Sequence, residues 1–244
     1  PREEPEEGIT GQQLGNIYHH ILENLYNSVE DPTNLEQLLD ALPTVAAQVL
    51  DEAPAREGFR VNAWWQQTRD EIQERVKQTV IGLAEISDGY RPIAFEARFD
   101  GSTPLPLGGG ELRLRGFIDR VDRGPDGLRI IDYKTAGPTY FTPRALEEGK
   151  KLQIALYALA ARDVLGLGEP VDGFYWHVQQ AKASGLQLGK FEGGIEAAMR
   201  CAGEWAWRTV CEAREGHFAP PPTRRRLSTL LPYCRLLLAL PPLV

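Results

Sequence analysis

Between Gly116 and Thr135 the chain reads GFIDRVDRGPDGLRIIDYKT, two β-rich apolar runs on either side of the turn signal Gly124-Pro125-Asp126-Gly127. The pattern predicts an antiparallel hairpin, and a hairpin dictates where its charges go. With Pro125 and Asp126 as the loop, Asp119 and Asp132 stand opposite each other, five residues before Gly124 and five after Gly127. Carboxylates so placed have Cβ atoms roughly 5 Å apart and repel, unless a hard divalent cation turns the repulsion into a binding site. The period of two then sets Lys134 on the face of Asp132. A three-residue loop with Gly127 in a left-handed bulge slips the pairing by one and sets Asp119 opposite Tyr133, so at this level two registers stay open.

Each charged residue also has a plainer reading. Aspartates near strand ends are commonly solvated or cap turns, and Lys134 could serve only as the partner of Asp132. Asp132, however, is flanked by Ile130, Ile131 and Tyr133, apolar on both strand faces as in a central strand, which puts its carboxylate in the interior. Asp122, closer to the turn, reads as structural. Upstream, Ile17, Ile21, Leu22 and Leu25 mark the packed face of a helix carrying His19 and His20. Neighbouring helix residues point about 100° apart, so only one of the two histidines aims at a given site. His177 in YWHV and His217 beside a Pro-rich stretch carry no motif and read as structural.

At 244 residues and 42% hydrophobic content the chain can build one sizeable α/β domain, with a helical part attached. It has no run of ~18 apolar residues, and its acidic start, PREEPEEG, is no signal sequence, so a soluble, cytoplasmic protein without membrane contact is expected. The missing initiator methionine suggests a piece of a longer chain. No G-x-x-x-x-G-K-[ST] loop occurs, so ATP-driven unwinding is not expected from these residues. A net charge of −7 argues against a general nucleic-acid-binding coat. Lys134, Lys150, Lys151 and Arg224 to Arg226 nevertheless follow the hairpin, while part of the acidic surplus lies at the N-terminus.

Periodicity predicts helices over 15–28, 34–50 and 62–87, a strand over 92–99, a Gly-rich loop at 108–110 and then the hairpin. A short helix follows from Thr142-Pro143, is interrupted at Gly149, and gives way to a helix over 150–164 closed by Gly166. A strand over 171–178 and an amphipathic helix over 195–215 complete the pattern. This order predicts a mixed central sheet flanked by helices. Its expected divisions are an N-terminal helical part at 1–90, a core at 91–222 and a tail at 223–244. Gln153 and Tyr157, four apart, share a helix face; without a motif they read as a solvated amide and a packed ring.

Asp119, the run Ile131-Asp132-Tyr133-Lys134-Thr135, and Gln153 with Tyr157 together resemble the RecB-like branch of the PD-(D/E)xK nuclease superfamily. The pattern is similar to the nuclease domains of RecB and AddB helicase-nuclease subunits: G-x-x-D-R-x-D, then I-D-Y-K-T, then Q-x-x-x-Y. The resemblance implies a restriction-endonuclease-like core and a Mg2+- or Mn2+-dependent deoxyribonuclease, exonuclease rather than endonuclease. It implies DNA ends as substrate, a helicase domain or subunit as partner, and a role in double-strand-break processing. Asp119, Asp132 and the Tyr133 carbonyl become metal ligands, and Lys134 orients the attacking water. His19, four residues after Gly15, matches the helix histidine that adds a ligand. Gln153 would hold the lysine or the DNA backbone, and the Tyr157 hydroxyl would meet phosphate. Glu96 in FEARF lies on the preceding strand and is given no role. Related AddB-type nucleases often carry a four-cysteine iron–sulfur cluster. With only Cys201, Cys211 and Cys234, none of them upstream of the hairpin, no cluster and no disulfide are expected here. Two rival readings are a nuclease-fold module without activity and a metal-free carboxylate-pair hydrolase.

Overall fold

A computed structural model describes residues 8–107, 109–135, 137–216 and 237–238. Helix α1 (Gly11–Ser28) starts four residues before the periodicity alone indicates, because Thr10 and Gln13 form a capping box. The Thr10 side chain accepts the Gln13 N–H, and the Gln13 carboxamide oxygen accepts the Thr10 N–H at 2.8 Å. Helix α2 (Leu35–Glu57) runs past the expected end at Leu50 and stops at Gly58, whose left-handed backbone (φ 73°) lets its N–H reach Pro54 O. Helix α3 (Trp65–Glu85) completes the N-terminal helices.

Strand β1 (Arg91–Phe99) leads into a small hairpin, β2 (Leu105–Leu107) and β3 (Gly110–Leu112), which brackets the Gly-rich loop expected at 108–110. Strands β4 (Leu114–Arg123) and β5 (Leu128–Lys134) follow, then helices α4 (Pro143–Glu147) and α5 (Gln153–Leu159), the latter extended by a π-type turn through Val164. Strands β6 (Pro170–His177) and β7 (Lys182–Gln187), helix α6 (Gly194–Arg214) and the two-residue strand β8 (Leu237–Leu238) close the order. The main sheet runs β1-β4-β5-β6-β7, with β8 pairing β4. Only β5 and β6 are parallel, which makes the sheet mixed. Strand β7 is invisible in KASGLQ, a segment poor in strand formers. Pairing with Trp176 and His177 imposes it, a tertiary override of local propensity.

Both sheet faces are covered. Val121, Ile130 and Tyr175 pack with Ile154 of α5 and Met199 of α6. Ile131, Tyr133, Phe174 and Trp176 pack with Ile17, Ile21 and Val76 of α1 and α3. Burial of each such side chain contributes about 1.5–3 kcal/mol, so the N-terminal helices are held as one wall of the sheet's own core. The approach is close enough at α3 that a Cβ on Gly82 would meet the Trp176 ring at 3.0 Å, while Trp176 Nε1 donates to Thr79 Oγ1 at 3.3 Å. No helix among the described residues is long and apolar enough to cross a membrane. Cys201 and Cys211 of α6 are free thiols; Cys234, His217, Arg224 to Arg226 and nearly all of the expected tail lie outside the described residues.

Candidate active site

The hairpin adopts the register of the two-residue loop. Gly124 N–H donates to Gly127 O at 2.9 Å, and Arg123 pairs with Leu128, Val121 with Ile130 and Arg120 with Ile131. There the ladder ends. Asp119, next along β4, does not simply face Asp132; its Oδ2 accepts the Tyr133 backbone N–H at 2.7 Å.

The cause is a paired break in strand alternation. On β1, Ala94 and Ala97 pack against one core cluster, as Ile118 and Val121 do on β4, three residues apart instead of two or four. Between them Phe95 and Arg120 face the other cluster, Arg120 with its guanidinium 4.6 Å from the Tyr26 ring centroid. Glu96 sits at the break with φ 45°, a left-handed backbone that costs an L-residue about 1–2 kcal/mol. Such irregularities re-aim side chains, and they gather where function repays the strain. Here the break turns Glu96 and Asp119 toward α1.

His19 meets them. Its Nδ1 lies 3.2 Å from Glu96 Oε1 and 3.4 Å from Asp119 Oδ1, and its Nε2 lies 3.2 Å from Tyr133 O. One donor atom each from His19, Glu96 and Asp119 falls within a 4.8 Å group. His20 instead points toward Glu23 at 3.9 Å and is 39% exposed. The sequence leaves Glu96 without a role because φ 45° has no signature in FEARF. Its alignment with Asp119 becomes visible only once Phe95 is paired with Arg120 and Ala97 with Ile118.

Asp132 keeps the strand phase of Lys134, whose Nζ is 2.5 Å from Asp132 Oδ2 and 5.6 Å from the Tyr175 ring centroid. Burial pushes the Asp132 carboxyl up to about 6; the charge of Asp119 adds to the rise, and Lys134 and His19 oppose it. Among the described residues Asp132 Oδ1, which is buried, has no hydrogen-bond partner. A buried, unsatisfied carboxylate oxygen beside an imidazole, two further carboxylates and a backbone carbonyl is a donor set suited to a hard divalent ion.

The surrounding residues brace this group. Asp122 is buried and bidentate to Arg120, Nε–Oδ1 2.6 Å and Nη2–Oδ2 2.9 Å, a structural partner as its sequence position suggests. His177 pairs with Lys134 in the parallel ladder, and its ring lies 5.1 Å from that of Phe141. Ile154 N–H donates to Tyr175 Oη at 3.1 Å, tying the start of α5 to the strand beside Asp132. Gln153 Nε2 donates to Tyr157 Oη at 2.8 Å, and the Tyr157 ring is wholly buried, edge-on to Phe99. Lys151 Nζ lies 4.5 Å from the Phe141 ring centroid, whereas exposed Lys150 pairs with Glu148.

Acidic side chains thus lie on the neighbouring strands β1, β4 and β5 of a mixed α/β sheet, with a lysine two residues beyond the last of them. The chain belongs to the PD-(D/E)XK nuclease superfamily, whose family profile matches residues 2–236. It is similar to a subunit of the ATP-dependent helicase/deoxyribonuclease of Moorella thermoacetica, 29% identical over an alignment 166 residues long that covers 59% of this chain and 13% of the relative. The corresponding helicase/deoxyribonuclease subunit of Symbiobacterium thermophilum is 40% identical over 94 residues, 34% of this chain and 8% of the relative. That of Bacillus pumilus is 27% identical over 172 residues, 62% of this chain and 14% of the relative. The chain thus spans a small fraction of these relatives' length.

Proposed function

We propose that this chain is a Mg2+- or Mn2+-dependent deoxyribonuclease that hydrolyses phosphodiester bonds at DNA ends, an exonuclease working with a helicase domain or subunit in the cytoplasm during double-strand-break repair. The observation that carries the reading is the convergence of His19, Glu96, Asp119 and the Tyr133 carbonyl beside the Asp132–Lys134 pair. Names of the similar proteins support the DNA substrate and the helicase connection.

His19, Glu96, Asp119, Asp132 and the carbonyl of Tyr133 would hold the ion. When bound, it supplies Lewis acidity to the scissile phosphate and lowers the pKa of water. The protein's own contributions are positional. Asp119 is fixed by the Tyr133 N–H, which leaves its Oδ1 toward His19. Lys134, held by Asp132 at the end of β5, orients the attacking water and offsets the charge that builds on the phosphate oxygens. Gln153 acts as a positioning residue through Tyr157, keeping the start of α5 against the strands that carry Asp132 and Lys134. Thiols have no part in this hard-ligand chemistry, and no iron–sulfur cluster is needed for it.

The test is incubation of linear single- and double-stranded DNA with the protein in Mg2+, Mn2+ or EDTA. Metal-dependent cleavage supports the reading. Cleavage indifferent to EDTA, or binding without cleavage, contradicts it.

A further inference from the structure

Moving from Asp119 toward the start of β4, residues alternate with a period of two: Arg113, Arg115 and Phe117 are exposed, while Leu114, Gly116 and Ile118 are buried. Asp119 falls in the phase of the exposed set. Phe117 is therefore one strand repeat, about 7 Å along the chain, from the carboxylate cluster and on its face. Across the ladder Phe117 pairs with Arg98, itself exposed and one repeat beyond Glu96 on β1. An exposed row of residues thus leads out of the site.

Its composition is specific. Phe117 is 40% exposed, a large apolar ring left in water between two exposed arginines of the same sheet, Arg98 opposite it on β1 and Arg115 one repeat away on β4. Arg113 is committed to the neighbouring turn, donating to Gly101 O at 3.0 Å and Ser102 O at 2.9 Å. Asp100, two residues beyond Arg98, accepts the Ser102 N–H within its own turn at 2.8 Å. A single ring flanked by two cations is too small and too charged for a protein-docking patch, which needs contiguous apolar area. It matches a polyanion with flat apolar faces: aromatic rings stack bases without sequence preference, and arginines take the phosphates.

We propose that Arg98, Phe117 and Arg115 form a single-strand DNA subsite next to the catalytic centre, with Phe117 stacking one base and the two guanidinium groups contacting phosphates. This rests on the nuclease reading above. It also explains how a chain with a net charge of −7 can hold DNA: the contact is local.

The experiment measures binding of a fluorescent oligothymidylate by anisotropy, with Ca2+ in place of Mg2+ as the hard cation, across a salt series. Phe117→Ala should raise Kd about 10-fold and Phe117→Trp should restore it. Arg98→Ala and Arg115→Ala should each reduce the slope of log K against log salt by about 0.7. All four substitutions are at exposed positions and should leave the melting temperature unchanged. Wild-type affinity and salt slope in Phe117→Ala, Arg98→Ala and Arg115→Ala, in a protein that cleaves DNA, overturn the subsite and spare the nuclease reading. A wild type that neither binds nor cleaves DNA overturns both.

Discussion

Glu96 and Asp119 stand abreast on β1 and β4 where both strands lose their alternation, and His19 Nδ1 lies between them, 3.2 Å from one carboxylate and 3.4 Å from the other. The backbone at Glu96 is left-handed, φ 45°, so its local strain and its placement in the cluster are inseparable. Glu96→Gly should therefore be more stable than Glu96→Ala by about 1 kcal/mol, the reverse of the usual order within a strand. Both should lose much of the stabilisation that Mn2+ gives the wild type. Denaturant unfolding with and without Mn2+ measures the two effects. An alanine variant as stable as the glycine one contradicts the strain argument.

Asp119→Ala, Asp132→Ala and Lys134→Ala each remove a group in the centre without opening the apolar core. Each should lower the cleavage rate at least about 100-fold while the far-ultraviolet circular dichroism stays that of wild type. A Lys134→Ala variant with wild-type activity contradicts the role given to the lysine.

The two adjacent histidines offer an internal control. Mn2+ binds the native state and so raises the melting temperature by mass action. His19→Ala should show a smaller rise, Asp119→Ala almost none, and His20→Ala, which alters a side chain directed at Glu23, the full wild-type rise. Thermal melts over a Mn2+ titration decide the matter, and a His20→Ala variant with the weaker response contradicts the helix phase.

Asp132 carries a stability cost in the metal-free protein. Burial raises its carboxyl from 3.8 to about 6, so the fold favours the protonated form. The penalty is absent below about pH 4, grows through the window between the two values and is complete above it. In EDTA, Asp132→Asn should therefore be the more stable protein at pH 8, by about 3 kcal/mol, with the difference closing near pH 4. An asparagine variant less stable than wild type at pH 8 contradicts this. The same substitution should reduce cleavage.

How far the sequence reaches is set by how local each determinant is. The turn residues Gly124 to Gly127 and the apolar runs beside them specify the Arg120–Ile131 register, because hairpin pairing depends on contiguous sequence. The phase of α1 is likewise legible from Ile17, Ile21 and Leu22, which pack on the sheet and leave His19 at its margin. What sequence does not show is the paired break at Glu96 and Asp119, which exists only once β1 is laid against β4. It re-aims Asp119, which the hairpin alone makes one half of a plain facing pair, toward His19 and Glu96, while Asp132 also holds Lys134. Strand β7 is hidden for a related reason, since its pairing comes from β6 and not from KASGLQ itself.

The most direct measurement is the rate of release of acid-soluble nucleotide from linear DNA by the wild-type protein in 5′- or 3′-labelled substrates, with Mg2+ or Mn2+ against EDTA. The account predicts release that requires the metal, stops on chelation, resumes when metal is restored in excess, and is lost in Asp119→Ala and Lys134→Ala. Release that persists in EDTA, or that survives both substitutions, would contradict it.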